Sequence, residues 1–319
     1  MIKLTRLSDG PIISPRAGID WEKNGVFNPG VCYDGKIVHM LYRAFGEDNV
    51  SRLGYAFSRD GINFEGFLDR PVFDHTENPE EVWGCEDPRI TKNGDDFYIS
   101  YTALSPKNIK DSVKYPFPVD LPYSIKIALA KTKDFRRYEK MGTILHSPDK
   151  DAALFPEKIN NHQYLFHRVW PNISLAKSKN LEEWIDLGAI MKPRAGFFDS
   201  YTIGVGAPPI KTELGWLVFY HGVDEALTYC LGIFILDLNH PEEVLYRSSK
   251  PILEPKLPFE REGFVKNVVF TCGAVEIDGN FYVYYGGADT CIGVAMVKKK
   301  VLLKDLVQAM QIKINAVTS

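Results

Sequence analysis

The sequence predicts an all-β fold, a five-bladed β-propeller that ends in a short C-terminal helix. The main observation is a hairpin that recurs five times along the 319 residues. In each copy a turn signal, such as Asp34-Gly35 or Asn93-Gly94, precedes an apolar run, and a second strand follows. The apolar runs are 39–44, 98–103, 164–169, 217–222 and 282–287, and their partner strands are 53–58, 127–132, 173–178, 231–236 and 292–297. Short strands grouped in repeats of this length are typical of propeller blades.

The repeats also set the expected boundaries. We expect a single domain over residues 1–319, with blades at 28–68, 86–142, 151–190, 203–253 and 267–297. A β-sandwich is the competing interpretation, but it does not predict a fivefold repeat. Residues 301–312 carry apolar side chains at helical spacing and indicate the C-terminal helix. The long insertion at 105–122 is expected to be a lid, a specificity loop or an oligomer contact.

Composition excludes several classes of partner. The net charge is −3, and no basic stripe occurs that would bind nucleic acid. The N-terminal residues lack the apolar segment of a signal peptide, and no long uncharged run predicts a membrane span. The five cysteines are scattered without metal-ligand spacing, which predicts reduced thiols, a cytoplasmic protein and no metal site. The insertion and the C-terminal helix are candidate contacts for a homo-oligomer.

The segment from Trp83 to Arg89 (Trp-Gly-Cys-Glu-Asp-Pro-Arg) concentrates charged side chains just ahead of an apolar strand. Asp87 has two interpretations. It either forms a salt bridge with Arg89 or caps a turn, or it acts as a general acid whose pKa is raised in an apolar channel mouth. Counting back from the turn glycines predicts one column of channel residues formed by Asn28, Asp87, Pro208 and Cys272.

A second column of equivalent positions predicts an anion site. It contains Arg43, Thr102, Arg168, His221 and Gly286. Each arginine taken alone could pair with a carboxylate of a neighbouring blade, but two arginines and a histidine around one cavity favour a phosphate or carboxylate ligand. An ordinary inverting glycosidase would need a second carboxylate as base, whereas a bound phosphate could attack unaided. Acids that could reach the channel are Asp151, Glu157, Asp199, Asp224 and Asp289.

Several motifs together resemble glycoside hydrolase family 130, a family of five-bladed propellers that are mostly inverting phosphorylases of β-mannosides. The motifs are Asn28-Pro-Gly30, Tyr42-Arg-Ala44, Ser51–Gly61, Gly84–Arg89, Leu154–Lys158, Pro208–Ile210, Tyr220-His-Gly222 and Tyr285–Asp289. The resemblance implies that α-D-mannose 1-phosphate is released and that Asp87 is the proton donor, acting through the mannose 3-hydroxyl. It implies no cofactor other than inorganic phosphate as co-substrate. The implied phosphate ligands are Lys150, Arg168, His221 and Tyr229, and the implied sugar contacts are Asn28, Arg43, Glu86, Arg89, Asp151 and Asp289.

One departure from the family pattern keeps an alternative open. Many members have a lysine before Ile-Gly, where this chain has Thr202-Ile-Gly204. Lys192, Arg194 or the 105–122 loop could supply the missing cation. The alternative is an inverting β-mannosidase on the same scaffold, with water as nucleophile and Asp224 or Glu157 as base; a non-catalytic binding propeller is the third possibility. The linkage cleaved is expected to be β-1,2 or β-1,4, with β-1,2 favoured.

Overall fold

The computed structural model describes residues 2–75, 79–106, 123–145 and 148–318. Within them the chain is mostly β-strand, and the strands group into consecutive antiparallel units. The first unit contains β2 (Gly25–Tyr33), β3 (Val38–Phe45), β4 (Ser51–Ser58) and β5 (Phe64–Glu65). The second contains β6 (Gly84–Asn93), β7 (Asp96–Pro106), β8 (Tyr123–Thr132) and β9 (Tyr138–Ile144).

The remaining units repeat the arrangement. The third contains β10 (Lys150–Leu154), β11 (Gln163–Arg168), β12 (Ile173–Ser178) and β13 (Trp184–Met191). The fourth contains β14 (Thr202–Val205), β15 (Ile210–Thr212), β16 (Gly215–Val223), β17 (Tyr229–Leu236) and β18 (Val244–Arg247). The fifth contains β19 (Val269–Ile277), β20 (Asn280–Gly287) and β21 (Cys291–Lys298). Short helical turns lie at Asp20–Glu22 and at α1 (Pro258–Arg261).

The fifth unit takes its outer strand from the other end of the chain. Strand β1 (Thr5–Arg6) pairs antiparallel with β21, opposite Met296 and Ala295. The Arg6 guanidinium anchors this strand, because its Nε lies 2.7 Å from the buried carboxylate of Glu260. Thr5 and Arg6 lie outside the five repeats of the sequence, so the sequence did not predict this strand.

The first strands of the units lie next to one another. Strand β2 contacts β6, β6 contacts β10, β10 contacts β14, and β19 contacts β2 again. In the fourth unit this strand is split, because β14 ends at Val205 and β15 begins at Ile210. Pro208 and Pro209 lie in the gap and have no N–H to donate to a ladder.

Helix α2 (Lys299–Thr318) confirms the predicted C-terminal helix and extends it at both ends. No glycine or proline interrupts residues 299–318, so nothing in the sequence stops the helix at the predicted boundary. Leu302, Leu303 and Leu306 are buried in the core between the fourth and fifth units. Most of the predicted 105–122 insertion, residues 107–122, lies outside the described residues. None of the described helices has the length and apolar character needed to cross a bilayer.

Candidate active site

Three polar residues lie at bulges in the first strands of the first three units. Asn28, Asp87 and Asp151 have φ of 47°, 51° and 56°, and each lies where the register of its ladder shifts. A bulge re-aims the side chain at its extra residue, and Asn and Asp are among the side chains that tolerate a positive φ. The local sequence therefore places an amide and two carboxylates on one side of the neighbouring first strands.

The ladders confirm the second predicted column. Arg43 pairs with Phe27, Thr102 with Glu86, Arg168 with Lys150, His221 with Gly204 and Gly286 with Phe270. The first column was only partly right. By register, Val205 and Thr271 take the places predicted for Pro208 and Cys272, because the segment between this position and the turn glycine is three residues longer in the fourth unit, and one residue longer in the fifth, than in the first two units.

Asp87 is almost completely buried and carries a negative charge in this environment. Its Oδ1 accepts hydrogen bonds from Asn28 Nδ2 at 2.8 Å and from Arg43 Nη1 at 3.2 Å. Burial favours the neutral acid, but the charges of Arg43 and Lys150 and the Asn28 hydrogen bond outweigh it, so the pKa of Asp87 is lowered. The raised pKa in the general-acid interpretation of Asp87 is therefore wrong for the free protein. In the salt-bridge interpretation, the partner of the Asp87 carboxylate is Arg43 and not Arg89.

Arg43 joins the first unit to the second. Besides Asp87 it pairs with Glu86, while its Nε donates to Ser51 Oγ at 2.9 Å and its guanidinium lies over the Phe27 ring. The alternative weighed for a single arginine, pairing with a neighbouring unit's carboxylate, is correct for Arg43. Ser51 also donates to Glu86 at 3.0 Å, and the sequence analysis did not single it out.

Asp289, not Asp87, is the carboxyl group that holds a proton more readily. Burial raises its pKa to about 6, and the negative charges of Asp87 and Glu86 act in the same direction, against Arg43 and Lys150. Asp289 has a φ of 52° and follows β20, so the fifth unit contributes this acid next to the first. The ionised Asp87 and the weakly acidic Asp289 thus lie within electrostatic reach of each other.

Asp151 is the counter-ion of the basic part of the site. It is fully buried, and its carboxylate lies 3.3 Å from Arg89 Nη2, 3.0 Å from Arg168 Nε and 3.5 Å from His221 Nε2. These charges hold the pKa of Asp151 far below its usual range despite its burial. Asp151, a sugar contact in the sequence prediction, thus pairs with two arginines and a histidine of the site.

Arg89, another predicted sugar contact, is held by groups of the protein itself. Its donors reach the carbonyl oxygens of Gly206 at 2.7 Å, Val205 at 2.8 Å and Asp87 at 3.0 Å, in addition to Asp151. Because the carbonyls of residues 205 and 206 belong to the fourth unit, Arg89 ties the second unit to the fourth.

Arg168 and His221 have polar atoms that are buried but unbonded within the described part of the chain. Arg168 Nε and both ring nitrogens of His221 make no hydrogen bond there. Burial lowers the pKa of His221 to about 3, with Arg168 and Arg89 acting in the same direction and Asp151 against them. His221 is therefore neutral. The predicted anion site of two arginines and a histidine thus carries no positive charge on its histidine. A neutral imidazole can donate one hydrogen bond and accept another.

The positive charge of this corner comes from Lys150 and Arg168, which are register partners. Among the described residues the Lys150 ammonium makes no hydrogen bond or ion pair, yet its charge acts on Asp87, Asp151 and His221. Tyr229 lies alongside, with its ring stacked on His221 at 6.1 Å between centroids. The four residues predicted to hold phosphate are thus brought together.

Gly204 explains the Ile-Gly part of the motif. A Cβ at this position would lie 2.4 Å from both Asp151 Oδ2 and His221 Cε1, so any larger residue would displace the counter-ion or the imidazole. Thr202 is buried two residues earlier and donates to the Pro171 carbonyl at 3.4 Å. Arg194, one predicted substitute for the missing lysine, is engaged by Asp199 and by the Ser248 carbonyl.

The other candidate acids lie elsewhere. Glu157 is half exposed and pairs with Lys211 beyond the opposite end of β10 from Lys150. Asp224 accepts hydrogen bonds from the backbone of Ala226 and Thr228, and it shapes the loop before β17. Asp199 is buried between Arg194 and Arg247.

Comparison with known proteins assigns the family. The glycoside hydrolase family 130 profile, described as β-1,4-mannooligosaccharide phosphorylase, matches residues 10–308. The chain belongs to glycoside hydrolase family 130. It is 44% identical over 308 residues to a 1,2-β-oligomannan phosphorylase of Thermoanaerobacter sp. (strain X514), covering 94% of this chain and 99% of the relative. It is also 44% identical over 313 residues to a β-1,2-mannobiose phosphorylase of the same strain, again covering 94% and 99%.

A solved structure of this family has the same fold. The β-1,2-mannobiose phosphorylase of Listeria innocua, in complex with β-1,2-mannobiose, superposes with a TM-score of 0.81 at 29% identity. The superposition covers 94% of this chain and 98% of that one. The likeness therefore includes all of the strand units that position the candidate site of this family 130 chain.

Proposed function

We propose that this family 130 chain is an inverting β-mannoside phosphorylase that transfers mannose from an oligosaccharide to inorganic phosphate and releases α-D-mannose 1-phosphate. One observation carries the proposal: Arg168 Nε and both His221 ring nitrogens are buried and, among the described residues, face only the Asp151 carboxylate without a hydrogen bond, while the charge of Lys150, the register partner of Arg168, acts on both His221 and Asp87. Guanidinium and ammonium groups suit a phosphate dianion, and a dry site strengthens each contact.

In the proposed reaction a phosphate oxygen attacks C1 of mannose from the face opposite the glycosidic bond. The bond between C1 and the departing oxygen breaks, and that oxygen takes a proton that Asp87 supplies through the mannose 3-hydroxyl. Asp87 must be protonated beforehand, although Arg43 and Lys150 lower its pKa in the free protein. A bound phosphate dianion opposes the charge of Lys150, and it thereby favours the protonated form of Asp87. No cofactor beyond phosphate is required.

The proposed sugar contacts are residues around the carboxyl groups of Asp87 and Asp289. Asn28 and Arg43 fix Asp87 and lie around it, and Asp289 is a carboxyl group with a pKa of about 6 that can donate or accept a hydrogen bond to a sugar hydroxyl. Glu86 orients Arg43. We propose that these four residues hold the non-reducing mannose, with Tyr229 completing the phosphate contacts.

The proposed substrate is a β-1,2-linked manno-oligosaccharide. Both 44% identical relatives carry β-1,2 names, one for oligomannan and one for mannobiose. The β-1,4 linkage in the family description is the competing assignment. Assay of both mannobioses in parallel decides between the two linkages.

The hydrolase alternative requires a carboxylate base beside an attacking water. The two bases considered for it are committed to other contacts, Glu157 to Lys211 and Asp224 to its own loop. Asp151 is paired with three basic residues, which leaves a weak base. These contacts favour phosphate over water as the nucleophile.

The test is incubation of the protein with β-1,2-mannobiose, with and without phosphate, followed by anion-exchange analysis of the products. Mannose 1-phosphate formed only with phosphate is the expected result. Free mannose released at the same rate without phosphate would establish the hydrolase. Binding without turnover under either condition would establish a non-catalytic propeller and refute both.

We further propose that the strand units form the five blades of a closed propeller within one domain spanning residues 1–319. The contact of β19 with β2 and the pairing of β1 with β21 support closure. A cytoplasmic location is proposed from the five cysteines, all free and buried. Small-angle X-ray scattering tests the closed shape and shows whether a homo-oligomer forms. The proposed binding partners are a β-mannoside and phosphate, and neither nucleic acid nor a membrane is proposed.

A further inference from the structure

A buried histidine and a buried aspartate lie directly behind the proposed phosphate ligands. His167 precedes Arg168 on β11, and Asp149 precedes Lys150 at the start of β10. Successive residues of a strand face opposite sides of the sheet, so His167 lies on the side away from the Arg168 side chain. The two residues meet there, with His167 Nδ1 2.5 Å from Asp149 Oδ2. Both side chains are about 1% exposed.

Asp149 joins the two strands that carry the cations. Its other carboxylate oxygen, Oδ1, accepts the backbone N–H of Arg168 at 2.8 Å. Its own backbone N–H donates to the Ile125 carbonyl at 3.1 Å, which fixes it to β8 of the second unit. The ladder between β10 and β11 shifts register between Lys150 and Ala153, so regular pairing is weakest beside these residues. Asp149 therefore supplies, through side-chain bonds, the constraint that the ladder lacks at Lys150 and Arg168.

His167 connects this constraint to the protein exterior. Its Nε2 lies 3.2 Å from Asp186 Oδ1 on β13, whose side chain is 54% exposed. A cavity of about 450 Å³ reaches the pair from outside, and Glu182 and Glu183 line it together with Asp186 and Asp149. Burial opposes the imidazolium, but the hydrogen bond and charge of Asp149 and the charge of Asp186 raise the pKa of His167. Among the described residues, the charged groups that line this cavity besides His167 are carboxylates, and two of them, Asp149 and Asp186, favour the protonated form of the imidazole.

We propose that Asp149 and His167 form a positioning pair that holds Lys150 and Arg168 in the geometry that binds phosphate, and that the pair holds them most firmly while His167 is protonated. This inference rests on the proposed function, because it assigns a support to the phosphate site of that reaction. Neither residue touches the substrate. The neutral imidazole can still donate its Nδ1–H to Asp149, but loss of the imidazolium charge removes the ion pair, so Asp149 fixes the Arg168 backbone less firmly. The sequence offered one signal for the pair, its adjacency to two predicted phosphate ligands.

The first experiment compares His167→Gln with a matched control, His39→Gln. His39 is also a buried histidine paired with an aspartate, since its Nε2 lies 3.3 Å from Asp34, but it is near the turn end of β3, away from Arg43. In metal sites, loss of the partner that orients a ligating side chain costs about ten- to a hundred-fold in affinity, and we take the lower figure for a phosphate ligand. His167→Gln should therefore raise the phosphate KM about ten-fold and leave the mannobiose KM unchanged, whereas His39→Gln should change neither.

Equal effects of the two substitutions, or a mannobiose KM that rises with the phosphate KM, would show that His167 serves only the fold and would overturn the inference. If His167→Gln does not fold, Asp149→Asn provides the same comparison. If the wild-type protein shows no phosphate-dependent turnover, the proposed function fails; the phosphate Kd from isothermal titration calorimetry then decides the positioning role, with weaker binding by His167→Gln expected and an unchanged Kd contradicting it.

The second experiment uses pH. The phosphate KM of the wild type should rise as His167 loses its proton, at a pH above the ordinary histidine value of about 6.5. Asp186→Asn keeps an acceptor for the Gly188 N–H but removes a charge that favours the imidazolium. The rise should therefore move to lower pH in this variant, while the titration of phosphate itself is the same for both proteins. Superimposable pH profiles would overturn the dependence on protonation.

Discussion

The replacement of Asp151 by Asn tests the charge arrangement of the site most directly. The substitution keeps the size of the side chain but removes the single negative charge that faces Arg89, Arg168 and His221. Removal of one partner of a buried ion pair costs about 3–5 kcal/mol, because the remaining charge stays buried without compensation. Here two guanidinium groups, 1% and 7% exposed, lose their counter-ion.

The expected change in melting temperature follows from the chain length. At about 2.1 cal/mol/K of unfolding entropy per residue, 319 residues give roughly 0.7 kcal/mol/K, so the variant should melt about 4–7 °C below the wild type. The exposed pair of Lys131 and Glu139 is the matched control, since surface ion pairs contribute about 0–1 kcal/mol. Glu139→Gln should shift the melting temperature by about 1 °C or less.

Differential scanning calorimetry at pH 7, with and without phosphate, measures both effects. Phosphate supplies the missing negative charge, so it should raise the melting temperature of Asp151→Asn more than that of the wild type. A variant that melts with the wild type, or that gains no more from phosphate, would refute the view that Asp151 balances the proposed phosphate ligands.

Three further predictions concern catalysis and pH. Asp87→Asn should lower kcat by about 10²–10⁴-fold, the usual contribution of a general acid, and near-normal turnover in the mannobiose assay would reject Asp87 as the donor. Arg168→Ala should raise the phosphate KM more than the mannobiose KM in initial-rate measurements; equal increases would assign Arg168 to the sugar or the fold. Asp289 has a pKa of about 6, above the ordinary value of about 3.9, so the folded state binds the extra proton and loses about 3 kcal/mol of stability as pH rises through this window. Urea unfolding at pH 4 and 7 should show this loss in the wild type but not in Asp289→Asn, and parallel behaviour of the two would contradict the raised pKa.

Most of the fold could be predicted from the repeat pattern, because each hairpin is formed by residues close together in the sequence. The turn signals and apolar runs predicted the hairpins, and the equivalence of Arg43, Thr102, Arg168, His221 and Gly286 is confirmed by the ladders. Features that depend on one unit alone were therefore accessible from the sequence. The split of the first strand in the fourth unit was not accessible. Spacing to the next turn alone places the start of that strand at Pro208 and gives no sign of the earlier segment, β14.

Charge states could not be predicted in the same way, because they depend on groups that come together only in the folded protein. The sequence assigned the raised pKa to Asp87 and a positive charge to His221. In the structure Arg43 lowers the pKa of Asp87, and burial lowers that of His221 to about 3. Within the described part of the chain, Lys150 is instead a cation of the site without an ion pair, and the cation beside it, Arg168, comes from the neighbouring strand β11. The pairing of Arg89 with the fourth unit is equally non-local.

The pairing of β1 with β21 gives the folding reaction a late step. Thr5 and Arg6 meet Met296 and Ala295 at almost the full separation that the chain allows, and contacts of such sequence separation form slowly because a large loop must close first. Arg43 of the first unit and Asp289 of the fifth lie on the two sides of this junction, close enough for the arginine charge to act on the carboxyl group. The proposed sugar-binding side of the site is thus assembled only when the two ends of the chain meet. Refolding monitored by pulsed hydrogen exchange should accordingly protect the internal hairpins before activity returns.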